Sequence, residues 1–459
     1  MNPLDAVRLA AFPLAYGLTG ALIGGTLNRV MIADLNVSAT VVATVFAIPL
    51  LLAPARVWFG HRSDSHAVGG RRRVPYLLAG AVTAVVGLLA IVQTTVRLPA
   101  SGAVLAAVLA AAFLVYGLGR ALAHNSFQAL VADRFETVAR GRALTAYEVS
   151  TLLGLVVGAG ALGSALERYD PDRLVMVSLG VAVTVLGLTL FAAVGQERPS
   201  AASTVTDPQA GDPPSEPLGQ VVRDYVIADP QARRFFLVVV LTFVGTLAQD
   251  VLLEPFAAQV LGMSLGDTTR LTAFWGLGVL AAMLLSITVL LRVLGQARLL
   301  RLGISLSAVF FVGLIGVALA GNPAPLRPLV ALLGLGTGLA AAGLLAGVAA
   351  FTTPARAGLL LGVWAVANMF GHALGSILGG LVVDGVRAIS GSATAAYVSV
   401  FALEIVALAG ALVVLRRVDI GQSHAIRELG DHPWDSPSPA LAGVDEQGDR
   451  AGHLWRGER

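Results

Sequence analysis

An all-α polytopic membrane protein, with twelve transmembrane helices in two six-helix bundles, is the architecture this sequence predicts. Three observations carry the prediction. Hydrophobic residues make up 56% of the 459 positions and charged residues only 13%, with a mean hydropathy of +0.79, whereas a soluble domain carries roughly 25% charged residues. Apolar runs long enough to cross a bilayer, about 20 residues each, recur twelve times along the chain. One long polar stretch, 195–220, divides those runs six and six.

The runs fall at 9–30, 38–59, 74–94, 101–123, 143–165 and 173–194, then at 235–256, 270–293, 299–320, 327–349, 356–381 and 395–415. The fourth continues to about Val131, because Phe127 to Ala132 is again apolar. Helices are the form they take, since the short alternating segments of a membrane barrel are missing. Residues 195–220 are rich in Pro, Ser and Asp, a composition that buries no core and reads as a flexible linker. The piece after it, 221–234, reads as a short helix on the membrane surface. The expected organisation is a first bundle at 1–196, a cytoplasmic linker at 197–233, a second bundle at 234–417 and a disordered polar tail at 418–459.

Arginines set the orientation. Arg62, Arg71, Arg72 and Arg73 lie between runs 2 and 3; Arg134, Arg140 and Arg142 between runs 4 and 5; Arg298 and Arg301 between runs 8 and 9. The opposite loops are poorer, with Arg97, Arg168 and Arg173 the main ones, so both termini are expected in the cytoplasm. The net charge of +3 sits in loops and suits this rule better than nucleic-acid binding. No cleavable signal peptide is expected, because the first apolar stretch leads into a polytopic array. The absence of cysteine excludes disulfides, thiolate metal sites and cysteine nucleophiles. Without a Walker loop, H-E-x-x-H or G-x-S-x-G the chain does not read as an enzyme, no metal site is expected, and primary active transport by this chain alone is excluded.

The stretch Gly60 to Arg73 reads G-H-R-S-D-S-H-A-V-G-G-R-R-R. Gly60 and Asp64, then Gly70, Arg71 and Arg72 after two extra residues, resemble the signature loop of the major facilitator superfamily. That resemblance implies the major facilitator fold and a loop acting in its conformational switch. Asp133 to Arg142, D-R-F-E-T-V-A-R-G-R, resembles the pattern between helices 4 and 5 of the same superfamily, with Glu148 at the start of helix 5. Pairing among Asp133, Arg140, Arg142, Glu148 and the first loop would hold one face closed; the alternative is a solvated loop.

A narrower resemblance rests on longer runs: Leu27-Asn28-Arg29-Val30-Met31-Ile32, Phe46-Ala47-Ile48-Pro49-Leu50, R-R-V-P-Y at 72–76, Asp250-Val-Leu-Leu-Glu254-Pro-Phe, Gln259-Val-Leu-Gly-Met-Ser264 and Gly266-Asp-Thr-Thr-Arg-Leu-Thr272. Together they resemble the bacteriochlorophyll-delivery family of the PucC and LhaA type. The family implies the cytoplasmic membrane of a phototrophic bacterium, light-harvesting or reaction-centre polypeptides as partners, and bacteriochlorophyll or chlorophyll as cargo, with no intrinsic cofactor. Helix 4, G-L-G-R-A-L-A-H-N-S-F-Q-A-L-V-A-D-R, departs from the members that serve the peripheral antenna.

Polar residues inside the spans mark where cargo would meet the protein. Arg120, His124 and Gln128 form one stripe of helix 4, with Asn125 close by. Arg120 lies roughly 16 Å from the inner helix end, where an arginine costs at least about 2.5 kcal/mol unless it faces a cavity or a partner. The stripe reads as a pigment or proton site, or as a snorkelling arginine with His124 hydrogen-bonded between helices. Asp250 and Glu254 read as a proton-carrying pair or as two interfacial carboxylates before a helix-ending Pro255. His372, between Asn368 and Ser376 on helix 11, reads as a magnesium ligand of a chlorophyll or as an interhelix hydrogen-bonding group. Asp267 reads as the N-cap of helix 8. Gly154, Gly158, Gly371, Gly375 and Gly379 read as close-packing positions. The expected pigment path runs between helices 1, 4, 7 and 10, with Asn28, Arg29, Arg120, His124, Gln128, Asp250, Glu254 and His372 as its polar points. Two other readings stay open: a secondary transporter proton-coupled through Asp250, Glu254 or Glu148, and a scaffold bound to the light-harvesting complex.

Overall fold

A computed structural model describes residues 3–52, 55, 58–59, 62–63, 66–97, 102–135, 137–197, 228–350 and 357–419, and their side chains except those of 3–6, 137–142, 349–350 and 357–363. Gly60, Asp64, the linker at 198–227 and the tail at 420–459 lie outside the described residues, as do the side chains of Arg140 and Arg142.

Twelve helices carry the described chain. They are α1 (Pro3–Leu22, continued through wider turns at Ile23–Leu27 and Val30–Asp34), α2 (Ala39–Leu51), α3 (Val74–Arg97), α4 (Ala103–Arg134), α5 (Thr137–Ala165) and α6 (Pro171–Ala193). Then come α7 (Pro230–Leu247), α8 (Leu265–Leu285), α9 (Leu291–Ala320), α10 (Leu326–Ala350), α11 (Ala357–Ser390) and α12 (Ala393–Leu415). A 3-10 turn at Ala248–Val251 and a short helix at Leu253–Gln259 follow α7. Ten stretches are long and apolar enough to cross a membrane. One of them, Leu265–Ala320, is α8 and α9 run together through a wide turn at Ser286–Leu290. Gly295 breaks it with φ 71° and ψ 168°, a conformation open to glycine. With α2 as a shorter apolar helix, these account for the expected twelve spans.

The helix starts follow local chemistry. Ser38, Asp170, Asp229, Ser264 and Ser392 each accept a backbone N–H of the first turn, which satisfies donors that no intrahelical carbonyl reaches. Pro171 and Pro230 open α6 and α7, where a missing N–H costs nothing.

Several boundaries differ from the sequence reading. The N-cap of α8 is Ser264, whose Oγ accepts the Asp267 N–H; Asp267 sits in the first turn. Asp133 and Arg134 end α4 and 137–142 already belong to α5, so the expected loop shrinks to a tight connection and Glu148 stands three turns inside the helix. Helicity there continues because nothing from Thr137 onward breaks it except one tolerated glycine. Arg233 and Arg234 belong to α7, since Pro230 starts it. Pro255 does not end the seventh helix: the break comes earlier, at the 3-10 turn, and the proline occupies the first turn of the segment after it.

The helices pack in two sets. In one, α1 lies against α5 and α6, α3 against α4 and α6, and α2 against α4; in the other, α7 packs on α11 and α12, and α9 and α8 on α10. The sets meet where α2 touches α11 and α5 touches α8. A Cβ at Gly154 would lie 2.1 Å from the Leu14 carbonyl, and one at Gly266 only 2.4 Å from the Gly163 carbonyl. The first contact brings α1 onto α5, the second brings α8 onto α5 across the join. Among the described residues, the hydrogen bonds between the sets cluster at the ends of α1, α5 and α11, the segment after α7 and the starts of α2 and α8, the far face relative to the start of α1 and the end of α12.

Candidate functional site

At that far face the wide turns of α1 present Asn28 inward, fully buried. Its Nδ2 donates to Glu254 Oε2 at 2.9 Å and to the Val251 carbonyl at 3.2 Å, while its Oδ1 accepts the Arg29 N–H at 2.7 Å. Thr272 Oγ1 donates to the other Glu254 oxygen at 2.7 Å. Gly25 makes room for this: a Cβ there would stand 2.5 Å from Thr272 Oγ1. Beside it, the Thr26 and Thr269 hydroxyls are 3.3 Å apart. Glu254 is thus a buried carboxyl, 4% exposed, shared by α1, the short helix after α7, and α8. The adjoining cavity, lined by Gln249, Asp250, Leu253, Glu254, Thr272 and Trp275, holds about 20 Å³, room for one water.

Asp250 and Glu254 border the same cavity but take different hydrogen-bonding and ion-pair partners. The 3-10 turn aims Asp250 at α11, where His372 Nε2 stands 3.4 Å from its carboxylate. Arg29 pairs with Asp34 on its own helix and reaches toward the Met263 carbonyl. Gln259 donates to the Ile32 carbonyl at 3.0 Å and accepts from the Tyr397 hydroxyl at 3.0 Å, tying α1 to α12.

The helix 4 stripe lies elsewhere. Arg120 faces the interior of the first set, its guanidinium 4.2 Å from the Tyr16 ring centroid and 6.0 Å from that of Tyr116. It borders a cavity of about 30 Å³ lined from α1, α3, α4 and α6. His124 is buried, hydrogen-bonded through Nδ1 with the Tyr147 hydroxyl of α5 and tilted against Tyr16. Gln128 and Asn125 open instead onto a cleft of about 350 Å³ with Ala129, Ala132 and Leu144. Residues predicted as points along one path are therefore distributed over three places: the far-face junction, the interior of the first set, and the α4–α5 cleft.

On the termini face, Arg73 Nε pairs with Asp133 at 2.8 Å and Glu197 accepts the backbone N–H groups of Arg72, Arg73 and Val74. Gly70 takes φ 73° in the turn, where Val68 and Arg71 bridge. Glu148 is exposed on α5.

Asp384 is a residue the sequence reading passed over. From α11 it accepts the Ser38 and Thr40 hydroxyls, each at 2.6 Å, and the Ala39 and Thr40 N–H groups at 3.1 and 2.8 Å. A carboxylate of one set thus caps α2 of the other. The signal was available, an acidic residue just past the end of an apolar run and followed by Arg387, but its partners are 344 to 346 positions away. Tyr16, Tyr147 and Thr272 were likewise invisible as partners.

The sequence model of the PUCC protein family matches residues 26–423. A protein named PucC from Rhodobacter capsulatus is 31% identical over 445 residues, covering 90% of this chain and 92% of the relative. An uncharacterized protein of the puhA-bchM intergenic region of the same species is 32% identical over 392 residues, 82% of this chain and 80% of the relative. A Rhodobacter capsulatus protein named bacteriochlorophyll synthase 44.5 kDa chain is 32% identical over 405 residues, 85% and 90% of the two chains. Among solved structures, a D-xylose-proton symporter superposes with a TM-score of 0.69 at 14% identity, over 91% of this chain and 98% of the other. An inward-facing bacterial homologue of the lysosomal transporter Spinster gives 0.66 at 14%, over 93% and 98%. The structural likenesses establish the major facilitator fold, and with that fold under it the chain belongs to the PucC family.

Proposed function

We propose that the protein handles bacteriochlorophyll or chlorophyll during assembly of light-harvesting or reaction-centre complexes, delivering pigment to membrane polypeptides and catalysing no reaction on it. The observation that carries this reading is the family match across residues 26–423, with a relative named for bacteriochlorophyll. The setting is the cytoplasmic membrane of a phototrophic bacterium. Both termini face the cytoplasm, as the arginines at 62, 71–73, 134, 140, 142, 298 and 301 favour. The two sets, joined along the far face, correspond to the two bundles of a facilitator, and the α4–α5 cleft lined by Asn125, Gln128, Ala129, Ala132 and Leu144 is where a cytoplasmic pigment would enter. The loop around Gly70 to Arg73, held to Asp133 and Glu197, serves as its switch.

The experiment is to purify the protein in mild detergent from a phototroph that makes it, record its absorption spectrum and identify co-purifying polypeptides. A bacteriochlorophyll band with antenna or reaction-centre subunits is expected, and deletion should lower complex levels. A colourless, solitary protein whose deletion leaves those levels unchanged would overturn the reading. A second reading, proton-coupled transport of another amphipathic molecule, is favoured by Glu254 buried where the sets meet; it calls for proton-driven flux in liposomes that E254Q abolishes.

A further inference from the structure

Glu404 lies in the middle of α12, fully buried, and plays no part in the site described above. Its Oε1 accepts the backbone N–H of Gln249 at 2.7 Å. In an unbroken helix that N–H would bond the Gly245 carbonyl. Here α7 gives way to the 3-10 turn Ala248–Val251, and a side chain from another helix takes the freed donor. The approach depends on Gly245, where a Cβ would lie 3.0 Å from the Glu404 carbonyl and 2.7 Å from Leu408. Two acceptors at this point have no donor among the described residues: Glu404 Oε2 and Gln249 Oε1, on residues 0% and 1% exposed. Gln249 Nε2 is spent on the Thr246 carbonyl.

The charged groups on the elements packed against α12 are committed elsewhere or sit at helix ends. Asp250 faces His372, Glu254 takes Asn28 and Thr272, and Asp384 caps α2. Arg234 reaches the Arg417 carbonyl at the end of α12, and Arg292, Arg298 and Arg301 are exposed on α9. Arg387 lies near the far end of α11, toward Tyr397. One backbone donor does not offset the burial of a carboxylate, and buried acceptors left bare are costly. Broken helices are also where small cations are held in membrane transport proteins.

We propose that Glu404 and Gln249 form a buried site for a monovalent cation, a proton or sodium, whose occupancy holds the α7 break open. The occupant bridges or satisfies the two bare oxygens and neutralises Glu404. For the proton the step is a transfer from hydronium to the carboxylate, leaving water. Because the break carries Asp250 and leads into Glu254, filling the site sets the geometry of the far-face junction.

The test uses the full chain in lipid nanodiscs, as wild type, E404Q and E254Q. Thermal unfolding is followed against sodium at constant ionic strength, with choline as replacement, and the infrared band of protonated carboxyl groups is recorded. A ligand held only by the folded state raises the midpoint as its concentration rises. Sodium that stabilises wild type and E254Q but not E404Q identifies sodium as the occupant. Inert sodium, with a protonated-carboxyl band lost in E404Q and retained in E254Q, identifies the proton. No sodium response and an infrared spectrum unchanged by E404Q would overturn the proposal. If E404Q does not fold, Q249L removes the amide acceptor while keeping the backbone donor; it should weaken the same responses, and an unaltered response would overturn the site.

Discussion

Asn28 donates to Glu254 across 2.9 Å, joining the last turns of the first helix to the segment beyond the broken seventh, 226 positions away. Both groups are buried, so the bond stakes more than a surface contact would. Removing the donor strands a buried carboxyl oxygen.

Asn28→Ala should therefore lower unfolding stability by about 1–3 kcal/mol, read by thermal unfolding of the purified protein. T272A removes the other donor to the same carboxyl. The double variant should depart from additivity by at least about 0.5 kcal/mol, because both changes act through one group. Strict additivity would show that Glu254 does not link the two helices.

Asp384 holds the start of α2 through four hydrogen bonds. D384A should release that helix end, at a cost of about 1–2 kcal/mol for the lost cap, and loosen the far face. The chain has no cysteine, so a single T269C reporter at a fully buried far-face position can be labelled without background. Reaction with a membrane-impermeant maleimide should be slow in the parent and faster with D384A; equal rates would show that this contact does not hold the far face together.

Gly163 and Gly266 bring α5 and α8 together across the two sets. A methyl group at position 266 would sit 2.4 Å from a backbone carbonyl, a distance that only helix displacement can relieve. Gly266→Ala should increase T269C labelling in the same assay, while G385A, where a Cβ meets nothing, should leave it unchanged.

His124 is engaged by Tyr147, and His372 by Asp250. On that geometry the H124Q and Y147F variants should each lose about 1 kcal/mol of stability while any co-purified pigment keeps its absorption maximum. A shifted or missing pigment band in H124Q alone would instead make that imidazole a ligand.

Much of the architecture was legible because hydropathy is a local property. Runs such as 74–94 and 395–415 announce helices by length alone, whereas the start of α7 at Asp229-Pro230 fell inside the expected surface helix at 221–234. Legibility failed where two local signals competed. Ser264 and Asp267 are both good caps, and backbone geometry chose the serine. Gly and Arg between 133 and 142 resembled a loop, yet helix propensity carried α5 back to Thr137.

By itself, then, the sequence determined the class of protein, the number of crossings and the family, since each depends on composition or on short runs of neighbours. Tertiary structure alone decided the partners. That Asn28 meets Glu254, that Asp250 turns to His372 instead of its neighbour on the chain, that Arg120 lies against Tyr16, and that Asp384 closes on α2 all depend on how helices cross. The physical reason is range: a span forms because about 20 consecutive residues prefer lipid, whereas a buried hydrogen bond is specified by two residues hundreds of positions apart, brought within 3 Å by packing that glycines such as Gly25, Gly245 and Gly266 permit.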